Sequence, residues 1–191
     1  GAMKELLAPH GPFRELRVSP DGKTLSFVGP HEYGPEAHDL MILPASGGAP
    51  RNLSGAGLDR LIFRYLWRKD GGVVAVAADG FRSVFVAFSA EGVRQEMTAF
   101  ATNPGSFVFT SNGELVFVGQ TATEPPEIWL SDQKNAPRCV SHFNDSWRQY
   151  ALAKPEFYKY KSFDGLPIEA ALLRPSGAAA KTNSPLIAQR R

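Results

Sequence analysis

Three dipeptides, Asp21-Gly22, Asp70-Gly71 and Asn112-Gly113, each fall between two short apolar runs, at separations of 49 and 42 residues. Asp-Gly and Asn-Gly are the strongest short-range signals for a β-hairpin, and the two-residue type I′ turn they favour needs positive φ at both central positions. The runs around them share one grammar. Phe13 to Val18, the turn Ser19-Pro20-Asp21-Gly22 and Lys23 to Val28 form the first hairpin. It continues through Asp39 to Leu43, the turn Ala45-Ser46-Gly47-Gly48 and Ala49 to Leu53. The second copy has Leu61 to Trp67, the turn at Asp70-Gly71, Gly72 to Ala77, Ser83 to Phe88, the turn Ser89-Ala90-Glu91-Gly92 and Val93 to Met97. The third has Ser106 to Phe109, the turn at Asn112-Gly113, Glu114 to Val118, Glu127 to Leu130, a turn near Ser131-Asp132 and Ala136 to Ser141.

Four short strands every 40 to 50 residues match the period of a propeller blade. One four-stranded sheet leaves both its faces bare, whereas radially stacked blades cover one another. An immunoglobulin-like sandwich also uses short alternating strands. It has no reason to repeat the same turns at the same offsets three times. The expected fold is therefore all-β, a partial β-propeller of about three four-stranded blades at residues 10–54, 58–98 and 104–142. The 18 glycines and 15 prolines spread between the runs suit a turn-rich β chain. Gly1-Ala2-Met3 reads as a cloning scar, residues 1–3, which places the blades within 4–145.

Composition excludes several classes. Twenty-one basic against 19 acidic residues, interspersed, give no basic stripe interleaved with aromatics, so no nucleic-acid groove is expected. No run approaches the roughly 18 apolar residues of a spanning helix, so no membrane partner is expected. Cys139 is the single cysteine. It excludes an internal disulfide and a thiolate metal site, and its apolar setting predicts a small buried hydrophobe. Cytoplasm is slightly favoured over periplasm, and the compartment otherwise stays open.

After Ser141 the grammar stops. Asp145 to Leu152 reads as a helical turn ended by Pro155, followed by strands at Glu156 to Lys161 and Leu166 to Leu173 around the hairpin Ser162-Phe163-Asp164-Gly165. Residues 176–184 read as a surface loop, and Pro185-Leu186-Ile187-Ala188 as the opening of another buried strand. The segment Pro155-Glu156-Phe157-Tyr158-Lys159-Tyr160-Lys161-Ser162-Phe163-Asp164-Gly165-Leu166-Pro167-Ile168-Glu169-Ala170, with Arg174-Pro175 after it, resembles the join between propeller and hydrolase in prolyl oligopeptidase-family serine peptidases. The acylaminoacyl-peptidase-like branch is the nearest in character. Ser19 to Lys23 and Ser46 to Leu53 are similar to that family's blade motifs.

The resemblance implies that 146–191 is a linker and the first strands of a truncated α/β-hydrolase domain. It also implies a parent enzyme, a serine peptidase that hydrolyses short peptides, with the propeller gating their access. Gly-x-Ser-x-Gly occurs nowhere, so this chain by itself is catalytically incomplete and no catalytic residue is assigned. The alternative is a non-catalytic propeller module for protein or ligand binding. The Phe157 to Pro175 segment argues against it, since a pure propeller has no use for that hairpin.

No cofactor-binding or metal residue is assigned either. His31 to Asp39 packs two histidines and three carboxylates into nine residues, but Gly34-Pro35 breaks any helical ligand spacing and a solvated loop is expected. Trp67, Trp129 and Trp147 are expected in core and inter-blade packing. Arg82, after the turn Asp79-Gly80, could reach a central channel, but an ordinary hairpin is expected there. Three blades leave two open faces and unpaired edges, which predicts self-association unless the strands after Pro155 pair onto a blade edge.

Overall fold

The computed structural model describes residues 3–8, 10–34, 38–55, 58, 60–95, 97–98 and 100–174. The loop and strand expected over 176–188 lie outside the described residues, as do Gly1, Ala2 and Pro35 to Ala37 of the histidine-rich loop.

Three four-stranded antiparallel sheets follow one another, each a simple meander with its strands in chain order. The first contains β1 (Arg14–Val18), β2 (Thr24–Gly29), β3 (Asp39–Pro44) and β4 (Arg51–Asn52). The second contains β5 (Ile62–Trp67), β6 (Val73–Asp79), β7 (Arg82–Phe88) and β8 (Arg94–Gln95). The third contains β9 (Asn103–Phe109), β10 (Leu115–Gln120), β11 (Glu127–Ser131) and β12 (Arg138–Cys139). A 3-10 turn at Asp145–Gln149 leads to a separate hairpin of β13 (Pro155–Lys161) and β14 (Pro167–Leu173). Among the described residues the hairpin pairs only with itself and extends no blade edge.

The glycine turns lie where the sequence places them but have a different geometry. Asp21, Asp70 and Asn112 keep negative φ, while Gly22, Gly71 and Gly113 take φ of 74°, 82° and 84°. The Gly71 N–H donates to the Arg68 carbonyl at 3.1 Å, and the Arg68 N–H to the Gly72 carbonyl at 2.7 Å. This is a type I turn closed by a left-handed glycine, the three-residue hairpin loop, rather than a two-residue I′ turn. Thr110–Gly113, Ser89–Gly92 and Ser162–Gly165 repeat the pattern. The hydroxyl at the first position supplies part of the reason. Thr110 Oγ1 accepts from the Glu114 N–H at 3.1 Å, and Ser89 Oγ from the Val93 N–H at 3.2 Å.

Each first strand also carries one extra residue. The register slips between Arg14 and Arg17 in β1, between Ile62 and Arg64 in β5, and in β9 opposite Phe117 and Gly119. A bulge of this kind bends the strand and raises its twist. In β1 it places Glu15 at φ 57°. The fourth strands are two residues long, shorter than the apolar runs suggest, so the outermost edge of each sheet offers little to a pairing strand.

Packing identifies the middle sheet. Val73 to Ala77 are all buried, which only a strand covered on both faces requires. Val73, Ala75 and Ala77 meet Val28, Leu40 and Ile42 of the first sheet, together with Tyr65 and Phe88. Val74, Val76, Phe85 and Ala87 meet Phe107, Leu115 and Phe117 of the third. The outer face of the first sheet is covered too, since Phe27, Met41 and Leu43 pack under Leu7. The outer face of the third is bare, with Val108 55% and Val118 40% exposed. Of the two open faces expected, one is therefore closed by the chain's own leading segment.

Polar stitches run between sheets. Arg14 donates to the carbonyls of Ile62 and Phe63, Arg51 to those of Ala90 and Glu91, and Lys69 to that of Ser111. Buried Ser26 collects a second set: Tyr65 Oη lies 2.6 Å from the Glu15 carbonyl oxygen and 2.8 Å from Ser26 Oγ, and Trp67 Nε1 donates to Ser26 Oγ at 2.8 Å. Burial raises the Tyr65 hydroxyl to a pKa of about 12, keeping it protonated and available as a donor.

Candidate functional site at the loop end of the third sheet

The start of β9, the end of β10, the start of β11 and the end of β12 meet at one end of the third sheet. The chain beyond β12 folds back over that end. Glu127 holds it there. Its carboxylate accepts the Asn144 N–H at 2.7 Å, the Phe143 N–H at 3.2 Å and the Ser141 hydroxyl. Those donors, Ser141 first, lower its pKa below the usual glutamate value. An ionised carboxylate that accepts three hydrogen bonds from the returning chain is an anchor, not a general acid. Asn144 Nδ2 adds a bond to the Pro126 carbonyl at 2.7 Å.

A cavity of about 420 Å³ lies between this returning chain and the sheet, walled by Thr102, Gly119, Trp129, Cys139, Trp147 and Tyr150. The rings of Trp147 and Tyr150 stand 5.7 Å apart, tilted, and are 48% and 59% exposed. Trp147 is thus a wall of this cavity and not the core residue its type suggested. Cys139 is half-buried, with its thiol 3.1 Å from the Ser141 carbonyl, rather than a fully buried hydrophobe. Trp67 and Trp129 do pack against the cores.

Two polar atoms in the wall are buried without a hydrogen-bond partner, Thr102 Oγ1 and Trp129 Nε1. Both flank Gly119. A Cβ on that glycine would lie 2.8 Å from Thr102 Oγ1 and 2.9 Å from Trp129 Cδ1, so a side chain there would collide with both. Trp129 stands out in the sequence only as a packing residue, and Thr102 and Gly119 through one overlooked signal. A lone glycine inside an apolar strand marks a close approach.

The other candidates resolve as structure. Arg82 Nη2 donates to the Phe100 carbonyl at 2.9 Å and ties β7 to the segment leading into the third sheet. Gly80, at φ 58°, opens a two-residue loop with Phe81 between β6 and β7. The separate hairpin rests on this loop: Phe157 lies 5.8 Å from Phe81, and the Glu169 carboxylate packs directly against Gly80. Among the described residues no group of three His, Cys, Asp or Glu side chains could hold a metal.

In the histidine-rich loop, His31 Nδ1 sits 2.6 Å from Asp39 Oδ2, with Glu32 3.8 Å from Nε2. The Asp39 hydrogen bond, and then its charge, raise the His31 pKa. A raised folded-state value means the pair contributes stability that is fully present below the unfolded pKa, about 6.5. That contribution is lost as pH rises through the folded value. NMR titration of His31 is expected to show an elevated midpoint that Asp39→Asn lowers, with the slope of thermal stability across that window flattening in parallel. An unchanged midpoint in Asp39→Asn would refute the pairing.

No sequence family profile matches the chain, and no curated protein does. Solved structures do. The acylaminoacyl peptidase of Pyrococcus horikoshii is similar over 86% of this chain and 25% of its own, with TM-score 0.67 and 19% identity. The β-propeller domain of the Trilobed protease from Pyrococcus furiosus is similar over 65% of this chain and 38% of its own, with TM-score 0.53 and 20% identity. The AtxE2 isopeptidase is similar over 84% and 26%, with TM-score 0.61 and 13% identity. The chain spans about a quarter of the length of the acylaminoacyl peptidase. At these identities the likeness establishes the fold alone: the three sheets are built like blades of the β-propeller domains of such peptidases.

Proposed function

We propose that the chain supplies propeller blades and the join to an α/β-hydrolase domain in a serine peptidase, the propeller gating the access of short peptides. One observation carries this reading. A match over 86% of the chain is more than the blades and everything before them contain, so the likeness to an acylaminoacyl peptidase runs on into the tail. The tail itself supports it. A lone two-stranded hairpin is marginal in water, and β13–β14 exposes Phe157, Tyr160 and Leu173 with both outer edges unpaired among the described residues. Such a hairpin is suited to being the first part of a larger sheet. In this reading residues 4–145 are the propeller portion and 146–191 lead into the hydrolase, whose nucleophile lies elsewhere in the full protein.

The test uses the full-length natural protein. A fluorophosphonate probe is expected to label one serine outside these 191 residues, and N-acylated short peptides are expected to be cleaved faster than long ones. The 191-residue chain alone should stay unlabelled. A full-length protein without a labelled serine would overturn the reading in favour of a non-catalytic binding module.

A further inference from the structure

We propose that the bare outer face of the third sheet joins two copies of this chain into a weak, closed two-fold dimer. The proposal concerns the 191-residue chain and does not depend on the peptidase reading. Pairing register decides which side chains share that face. Val116 lies opposite Val108 on one side and Leu130 on the other, and Val118 lies opposite Ile128. Phe107, Leu115 and Phe117 turn the other way, into the joint with the second sheet. Val140 extends the patch past β12; its N–H donates to the Ile128 carbonyl at 2.8 Å, and it is 43% exposed. Aliphatic side chains from all four strands thus stand side by side on one surface. Among the described residues the one charge that these strands add to it is Arg138, opposite Leu130. Because β12 is outermost, the Arg138 stem can lie along the rim with its guanidinium in water.

The fold itself chooses the partner. Stacking this face on the outer face of another copy's first sheet would build an open-ended row. That face is already taken, since Leu7 packs there over Phe27, Met41 and Leu43. Edge-to-edge pairing at the outer edge finds only the two-residue β12 to add to. What remains is the face against its own copy, an isologous contact closed by a two-fold axis. Apolar sheet faces pack about 10 Å apart with their side chains interdigitated, an arrangement that rows of valine, isoleucine and leucine suit. Four strands about 4.8 Å apart and about six residues long span roughly 400 Å² per copy. That is about half of what each partner of a standard stable interface buries, so the dimer is a weak one, with a dissociation constant on the order of 100 µM.

Sedimentation equilibrium of the 191-residue chain, from about 5 to 500 µM so as to bracket that constant, tests the proposal. The average mass is expected to rise from 20.8 kDa for one copy toward twice that value and no further. Val118→Lys and Val108→Lys each put an ammonium group into the face, and each is expected to weaken association at least about tenfold. Both positions are exposed in the single copy, so melting temperatures at the lowest concentration should stay within about 2 °C of the parent chain. This separates loss of the contact from loss of the fold. Val93→Lys is the control: Val93 is 64% exposed but lies beside β8 of the second sheet, and its replacement should leave association unchanged. A single-copy mass throughout would overturn the proposal and leave the face to a further segment of a longer natural protein. Growth past two copies would overturn the two-fold closure. Equal weakening by Val93→Lys would take the contact away from this face.

Discussion

Phe85→Ala is expected to lower the free energy of unfolding by about 3–5 kcal/mol. Phe85 stands on β7 of the second sheet, and its partners belong to the third sheet and the segment leading into it. Its ring centroid lies 5.4 Å from Phe100, 5.1 Å from Phe107 and 5.3 Å from Phe117, at interplanar angles of 89°, 84° and 86°. Edge-to-face pairs contribute about 0.5–1.5 kcal/mol each beyond the area they bury, and here three converge on one ring. Phe85→Leu retains much of the volume but no ring, so it should cost less, about 1–1.5 kcal/mol. Urea unfolding measures both. The alanine variant should also lose cooperativity, because the third sheet has its buried face on this cluster and its other face bare. A loss below 1 kcal/mol with an unchanged transition would show that the cluster is not the joint between the two sheets.

Ser26→Ala is the second, expected to cost about 1–3 kcal/mol for the deletion of one oxygen atom. Ser26 is fully buried. It receives Trp67 Nε1 and contacts Tyr65 Oη, both from the second sheet, so alanine strands the indole N–H in the core between the sheets. Tyr65 keeps the Glu15 carbonyl and loses less. Ser26→Thr retains the hydroxyl but adds a methyl group in a packed site, and Trp67→Phe removes the donor instead. The double variant Ser26→Ala with Trp67→Phe should therefore cost less than the sum of its parts. Additive losses would mean that the bond contributes nothing of its own.

Much of this architecture is legible in the chain because its signals are local. A turn dipeptide between two apolar runs places a hairpin without reference to anything distant, and Asp21, Asp70 and Asn112 do so correctly. The type of turn is not legible from the dipeptide alone. The bulge in each first strand, and the hydroxyl that accepts the returning N–H at Ser89 and Thr110, go with a three-residue loop in which only the glycine is left-handed. The bulges themselves escape notice, since an extra residue in Arg14–Arg17 merely blurs an alternation that is already weak. The fourth strands are overestimated because a turn signal places their start and nothing in the sequence marks their end: of the expected Val93 to Met97, the described pairing is Arg94 with Phe88 and Gln95 with Ala87. The cavity was illegible because its two unpartnered atoms belong to Thr102 and Trp129, on separate elements, and only the approach of both to Gly119 gives either a meaning.

The stitches between the sheets have a consequence for how such a chain varies. Arg14, Arg51, Lys69 and Arg82 all end on main-chain oxygens of the neighbouring sheet, its turns or the segment leading into it. A carbonyl is present whatever residue carries it, so the receiving positions are released from any demand on their side chains. Along these bonds only the donors are held to type, in contrast to Ser26, whose own hydroxyl receives Trp67. An assembly fastened in this way tolerates wholesale replacement of its lettering while its spacing persists. That is one physical route by which structures alike over more than four-fifths of this chain come to share fewer than one residue in five with it.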